Sequence, residues 1–78
     1  MTITEFLLAR SIEREARADE WADGKPARDR QSWAVATMVV VKERRLRKAV
    51  RLGMSDRALR QQVARYADHP DYDEAWRP

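Results

Sequence analysis

Cysteine is absent from this 78-residue chain, so neither a disulfide framework nor a thiolate metal site can supplement the core. A reducing, cytoplasmic compartment is the expectation that fits. Glycine occurs only at Gly24 and Gly53, which suits long helices joined by few tight turns. Histidine occurs once, at His69, and no serine or threonine lies near it in sequence as an obvious nucleophile. Catalysis therefore has little to stand on, and a non-enzymatic protein is expected, with no cofactor and no evident small-molecule substrate. Long apolar runs are missing as well. The longest uncharged run, Gln31 to Val41, falls short of the roughly 20 residues that span a bilayer, so no membrane partner is expected. The first residues, Met1-Thr2-Ile3-Thr4-Glu5, lack the basic region and apolar block of a signal peptide.

What the chain does have is charge, unevenly placed. Residues 1–24 hold three arginines against six acids, net −3; residues 25–67 hold twelve bases against three acids, net +9. Residues 68–78 hold Arg77 against four acids, again net −3. Acidic ends flanking a basic middle either close on it within the chain or leave it for an anionic partner. The length implies a single domain over residues 1–78, one small enough to bury only about 60–65% of its unfolded surface.

The stretch from Trp33 to Leu52 organises the rest. An apolar half, Trp33 to Val41, runs into a basic half, Lys42 to Leu52. Val35, Val39, Lys42, Leu46 and Ala49 follow alternating steps of four and three, the spacing of a packing seam, with Val50 beside them. Lys42 can lie along that seam by its methylene stem. Trp33, Ala36 and Val40 form a second apolar line on another side. The β-branched run Val39-Val40-Val41 would suit a strand. No second strand-like run exists to pair with it, and a lone strand leaves its backbone groups unsatisfied. The spacing therefore predicts a helix with more than one packing partner.

Taken in order, Thr2 and Glu5 have the spacing of a capping box, with Thr4 as a competing cap, for a first helix over about 3–22. Its apolar residues divide: Ile3, Phe6 and Leu7 lie near the side of Trp21, whereas Leu8, Ala9, Ile12 and Ala16 lie on the other. Residues 13–20 read as a solvated surface laced with ion pairs. Asp23-Gly24-Lys25-Pro26 marks a break, and Asp29 or Ser32 can cap a second helix over about 30–52, ended by Gly53. Ser55 is a good N-cap for a third helix over about 55–67, with Met54 packing on Leu59. Pro70 forbids its simple continuation and starts a terminal turn over about 70–76, capped by Asp68 or His69. Tyr72 and Trp76, four apart, then face the same way and fold back on the helices, with Trp76 largely buried. The fold class is all-α: a small three-helix domain with a short C-terminal aromatic turn.

At that tail the sequence resembles a known family. Tyr66-Ala67-Asp68-His69-Pro70-Asp71-Tyr72, followed by Trp76-Arg77-Pro78, is similar to the signature of a family of small proteins of unknown function found in actinobacteria and their phages. Phe6-Leu7-Leu8-Ala9-Arg10 resembles the same family's opening, and Lys42-Glu43-Arg44-Arg45-Leu46 loosely resembles its mid-chain helix. The chain departs from the family before the central helix, where Lys25-Pro26-Ala27-Arg28-Asp29-Arg30 stands in place of a histidine-containing segment. The resemblance implies an origin and an architecture, not a mechanism.

Three clusters can be weighed for chemistry. Asp68, His69, Asp71, Asp73 and Glu74 have metal-ligating groups, but their spacing fits neither an EF-hand loop nor a zinc pattern, and a capped turn explains them. The three tryptophans read as core before they read as a ligand pocket. Lys42, Arg44, Arg45, Arg47, Lys48 and Arg51 could neutralise phosphates. They spread around the helix, however, and no aromatics interleave to stack on bases. A solvated helix paired with the acidic ends is the plainer reading, with a nucleic-acid module as the alternative. The leading expectation is a protein-interaction surface at Trp33, Val35, Val39, Val40 and Leu46, serving a homodimer, a host or phage protein, or both. An uncovered apolar line of that size usually marks an interaction site.

Overall fold

A computed structural model describes residues 1–23 and 30–78. Three α-helices are present and, among the described residues, no strand: α1 is Ile3–Asp23, α2 is Arg30–Gly53 and α3 is Asp56–Val63. Two 3-10 turns follow, Ala64–Tyr66 and Glu74–Trp76. The expected break at Gly24-Lys25-Pro26 and the expected cap Asp29 lie outside the described residues, as does the side chain of Ser32.

Local sequence signals account for the helix ends. The Thr2 amide donates to Glu5 Oε1 at 3.0 Å and the Glu5 amide to Thr2 Oγ1 at 3.1 Å, the reciprocal capping box that the Thr-x-x-Glu spacing predicts. The Thr2 amide bond, and behind it the Thr2 hydroxyl, holds the Glu5 carboxyl below its ordinary pKa. Helix α2 stops at Gly53, whose φ of 109° lies in the left-handed region that other residues seldom adopt. The Ser55 hydroxyl then accepts from the Ala58 amide at 3.2 Å and starts α3. The third helix is shorter than its expected span of 55–67, because the backbone tightens into the 3-10 turn after Val63.

Helices α1 and α2 lie antiparallel. Leu7, early in α1, shares the core with Val50, late in α2, while Ala18 and Trp21 at the end of α1 sit beside Val35 and Ala36 at the start of α2. The apolar core occupies one end of this pair. Phe6, Leu7, Val50, Leu59 and Val63 are buried together, with Ile3, Leu8, Leu46, Met54, Tyr66, Tyr72 and Trp76 packed around them. The tail folds back as its aromatic spacing predicts. The rings of Tyr66, Tyr72 and Trp76 surround Phe6 at centroid distances of 6.0, 6.3 and 5.1 Å. Trp76 itself is half-buried rather than largely buried; its ring packs on Phe6 and, at 5.7 Å, edge-on with Tyr72.

Within the tail, acidic side chains serve the backbone. Asp73 accepts from the Ala75 amide at 2.9 Å, Glu74 pairs with Arg77, and His69 Nδ1 accepts from the Asp71 amide at 3.0 Å. Arg10 Nη1 lies 2.5 Å from His69 Nε2; a neutral imidazole accepts through one nitrogen at a time, so these two bonds compete.

The face that α2 packs on α1 is not the seam with the strongest apolar spacing. Ala36, Glu43 and Val50 are buried, with Val40 and Arg47 half-buried between them. That line is the second of the two apolar lines, prolonged through two charged residues. On α1 the matching buried position is Ser11, 1% exposed, whereas Ile12 is 56% exposed. The middle of the interface is therefore polar. Ser11 Oγ donates to Glu43 Oε2 at 2.7 Å and accepts from Arg47 Nη1 at 3.1 Å. Arg14 approaches Glu43 at 3.5 Å. Glu15 takes Arg47 at 2.8 Å and Arg44 at 3.2 Å. The charged middle of α1 thus pairs across to α2, beyond the pairs within its own helix that the sequence suggests. A buried charge is tolerated only when paired and hydrogen-bonded, and Glu43 satisfies both conditions.

The hydrogen bond from Arg47, with Arg44 nearby, holds the Glu15 carboxyl below its ordinary pKa. A depressed acid adds stability that is full above the ordinary carboxylate range and is lost as pH falls through the depressed value. Thermal midpoints measured from neutral pH into acid should fall on that limb, and Glu15→Gln should flatten the fall. An unchanged acid limb in Glu15→Gln would show that the pair contributes nothing.

Candidate functional site

The seam of Val35, Val39 and Leu46 is not the face that packs on α1: Val35 is exposed, and Val39 and Leu46 are half-buried. Because α2 turns Ala36, Glu43 and Val50 towards α1, the neighbouring Val35 and Met38 face outward. Helix α3 reaches only the core end. Val35, Met38, Val39 and Leu46 of α2 consequently line a cleft of about 670 Å³, closed on one side by Arg14 of α1 and on the other by Gln62 and Arg65 at the end of the third helix and its 3-10 turn. Lys42 and Arg45 stand along it, and Glu43 lies in its floor. A shallower hollow of about 360 Å³ adjoins it, sharing Arg14, Val35 and Val39 and adding Arg17, Ala18, Trp21 and Ala36.

Exposure marks this strip as surface. Val35 is 55% exposed and Met38 56%, adjacent to the buried Ala36 at 4%. Exposed apolar residues are ordinary when scattered singly, but these lie together in a concavity rimmed by cations, which is the arrangement of interaction sites.

Of the five residues expected at a protein-binding surface, the structure brings three to this cleft: Val35, Val39 and Leu46. Trp33 is 58% exposed on another side of α2, and neither it nor Val40 lines either hollow. Val40 is half-buried on the side facing α1. Sequence reasoning missed Met38, which sits in the same apolar run, and Arg14, Gln62 and Arg65, which only tertiary packing brings alongside.

The basic block divides by use. Arg44 and Arg47 are engaged with Glu15, and the Arg47 side chain is 13% exposed. Lys42 and Arg45 belong to the cleft. Lys48 and Arg51 are exposed, and among the described residues no ion pair holds either. The six residues therefore do not form a single phosphate-facing surface.

Among the described residues no group of three or more His, Asp or Glu side chains is placed to hold a metal ion, and no helix is long and apolar enough to cross a membrane. Comparison of the chain with protein-family models, with curated proteins and with solved structures gives no match in any of the three.

Proposed function

We propose that this chain is a non-catalytic interaction protein that binds a protein partner through the open strip on the first half of α2. The observation that supports this reading is the outward placement of Val35 and Met38, each more than half exposed, in a cleft that also takes Val39 and Leu46. Helix-spaced apolar residues left without a helix to pack on are the ordinary form of a docking face. The tail resemblance supports an actinobacterial or phage origin, and with it a host or phage protein as the partner. Self-pairing through the same strip, as a two-fold homodimer, is the other way to cover it.

The alternative, a nucleic-acid-binding module, draws support from exposed Lys48 and Arg51, although Arg44 and Arg47 are diverted to Glu15. One comparison separates the readings. Wild-type protein and Val35→Glu serve as baits in an actinobacterial lysate, and both are titrated with duplex DNA at several salt concentrations. Docking through α2 predicts proteins retained by the wild type and lost by Val35→Glu. DNA affinity that falls steeply with salt, survives Val35→Glu and is lost in Lys48→Glu with Arg51→Glu would replace this reading with the nucleic-acid one.

A further inference from the structure

We infer that the occupant of the cleft is an acidic amphipathic helix supplied by a foreign protein; the inference rests on the protein-docking reading above and specifies its partner.

Shape argues for a helix. Helices α1 and α2 have 21 and 24 residues and α3 has eight, so at about 1.5 Å per residue the third helix falls short of the pair by roughly 20 Å. The chain then tightens into a 3-10 turn and is carried back towards Phe6 by the segment around Pro70, so it does not continue along the cleft. The strip lies between Arg14 of α1 and Gln62 and Arg65 at the end of the third helix and its 3-10 turn. Val35, Val39, Lys42 and Leu46 repeat at steps of four, three and four, which is the pattern one helix offers another. From Val35 to Leu46 is about 17 Å, or three helical turns. A partner helix presenting apolar anchors at i, i+3 or i+4, and i+7 matches that length. Met38, flexible and polarizable, can adapt to it.

Charge selects the sign. Arg14, Lys42, Arg45 and Arg65 surround the cleft, and Arg17 borders the adjoining hollow. The one carboxylate among the described lining residues is Glu43, which is buried in the floor and already engaged by Ser11 and Arg14. A concave apolar wall rimmed by one sign of charge concentrates its field on whatever enters. A helix with carboxylates flanking its apolar ridge meets that field favourably. A second copy of this chain brings its own Lys42 and Arg45 beside the same apolar residues, and so adds like charge to like.

Three synthetic amphipathic peptides of about 14 residues test this, each long enough for the three turns. All carry leucine at the ridge positions and differ only in glutamate, glutamine or lysine at the flanking ones. Their binding to the full chain is read by fluorescence anisotropy at low salt, with circular dichroism confirming that every variant folds. The glutamate peptide should bind at least about tenfold tighter than either other, and added salt should erase the difference. Lys42→Glu with Arg45→Glu should transfer the preference to the lysine peptide, and Val35→Glu should remove binding of all three. Equal affinity for the three peptides would overturn the acidic partner while leaving protein docking in place. Absence of any binding would overturn a helix in this cleft. A dimer mass in sedimentation that disappears with Val35→Glu would assign the cleft to a second copy and overturn a foreign occupant.

Discussion

Phe6→Ala should lower the unfolding free energy by about 3–5 kcal/mol, the usual loss on truncating a buried aromatic side chain. Phe6 is fully buried, and all three tail aromatics pack on its ring. It also lies 5.4 Å from the His69 ring and beneath the Arg10 guanidinium at 5.2 Å. Removing it therefore opens a cavity and detaches the tail in one step. Domains of this kind hold only about 5–15 kcal/mol in total, so the variant should be largely unfolded or close to it. Trp76→Ala should cost less, about 1–3 kcal/mol, because Trp76 is only half-buried at the edge of the core. Urea denaturation followed by circular dichroism measures both. A larger loss for Trp76 than for Phe6 would move the centre of the core into the tail.

The second large effect is expected at Glu43, which is 4% exposed between the two long helices. Glu43→Ala should destabilise by about 1–3 kcal/mol, since it takes a strong acceptor away from the buried Ser11 hydroxyl. Ser11 is left with only the Glu43 carbonyl at 3.3 Å as acceptor, and Arg14 loses its counter-charge. Glu43→Gln should be milder, because the amide oxygen still accepts from Ser11. The double variant Ser11→Ala with Glu43→Leu should be milder than Glu43→Ala alone, because the need for a hydrogen bond disappears along with the group that supplied it. If Glu43→Ala unfolds at the same urea concentration as the wild type, the carboxylate is solvated and the polar interface does not exist.

That polar interface explains where sequence reasoning succeeded and where it turned the wrong way. Helix ends were legible because their signals are local: Thr2 with Glu5, Gly53 and Ser55 act within a few residues of themselves. The return of the tail was legible from aromatic spacing beside Pro70. The packing face of α2 was not. Val35, Val39 and Leu46 make the stronger apolar pattern, whereas the second apolar line, Ala36 and Val40, runs on through the charged Glu43 and Arg47 before it reaches Val50. Their burial depends on Ser11, Arg14 and Glu15, some thirty residues earlier, supplying partners at the right height on another helix. No local pattern encodes that pairing. For the same reason the cleft was half legible: Val35, Val39 and Leu46 stood out by spacing, while Arg14 and Arg65 reach it only through the antiparallel hairpin and the short third helix.

The account depends most on which way α2 faces, and two neighbouring residues report it. Ala36 is 4% exposed and Val35 55%, so the same substitution at each should have opposite consequences. Thermal unfolding of Ala36→Glu and Val35→Glu, compared with the wild type, is the direct measurement. Ala36→Glu should unfold far below the wild type, because it drives an unpaired carboxylate between α1 and α2. Val35→Glu should stay within about 0.5 kcal/mol of it, as changes at open surface do. The reverse order, with Val35→Glu collapsing and Ala36→Glu tolerated, would show that the apolar strip is core and that the docking cleft is not there.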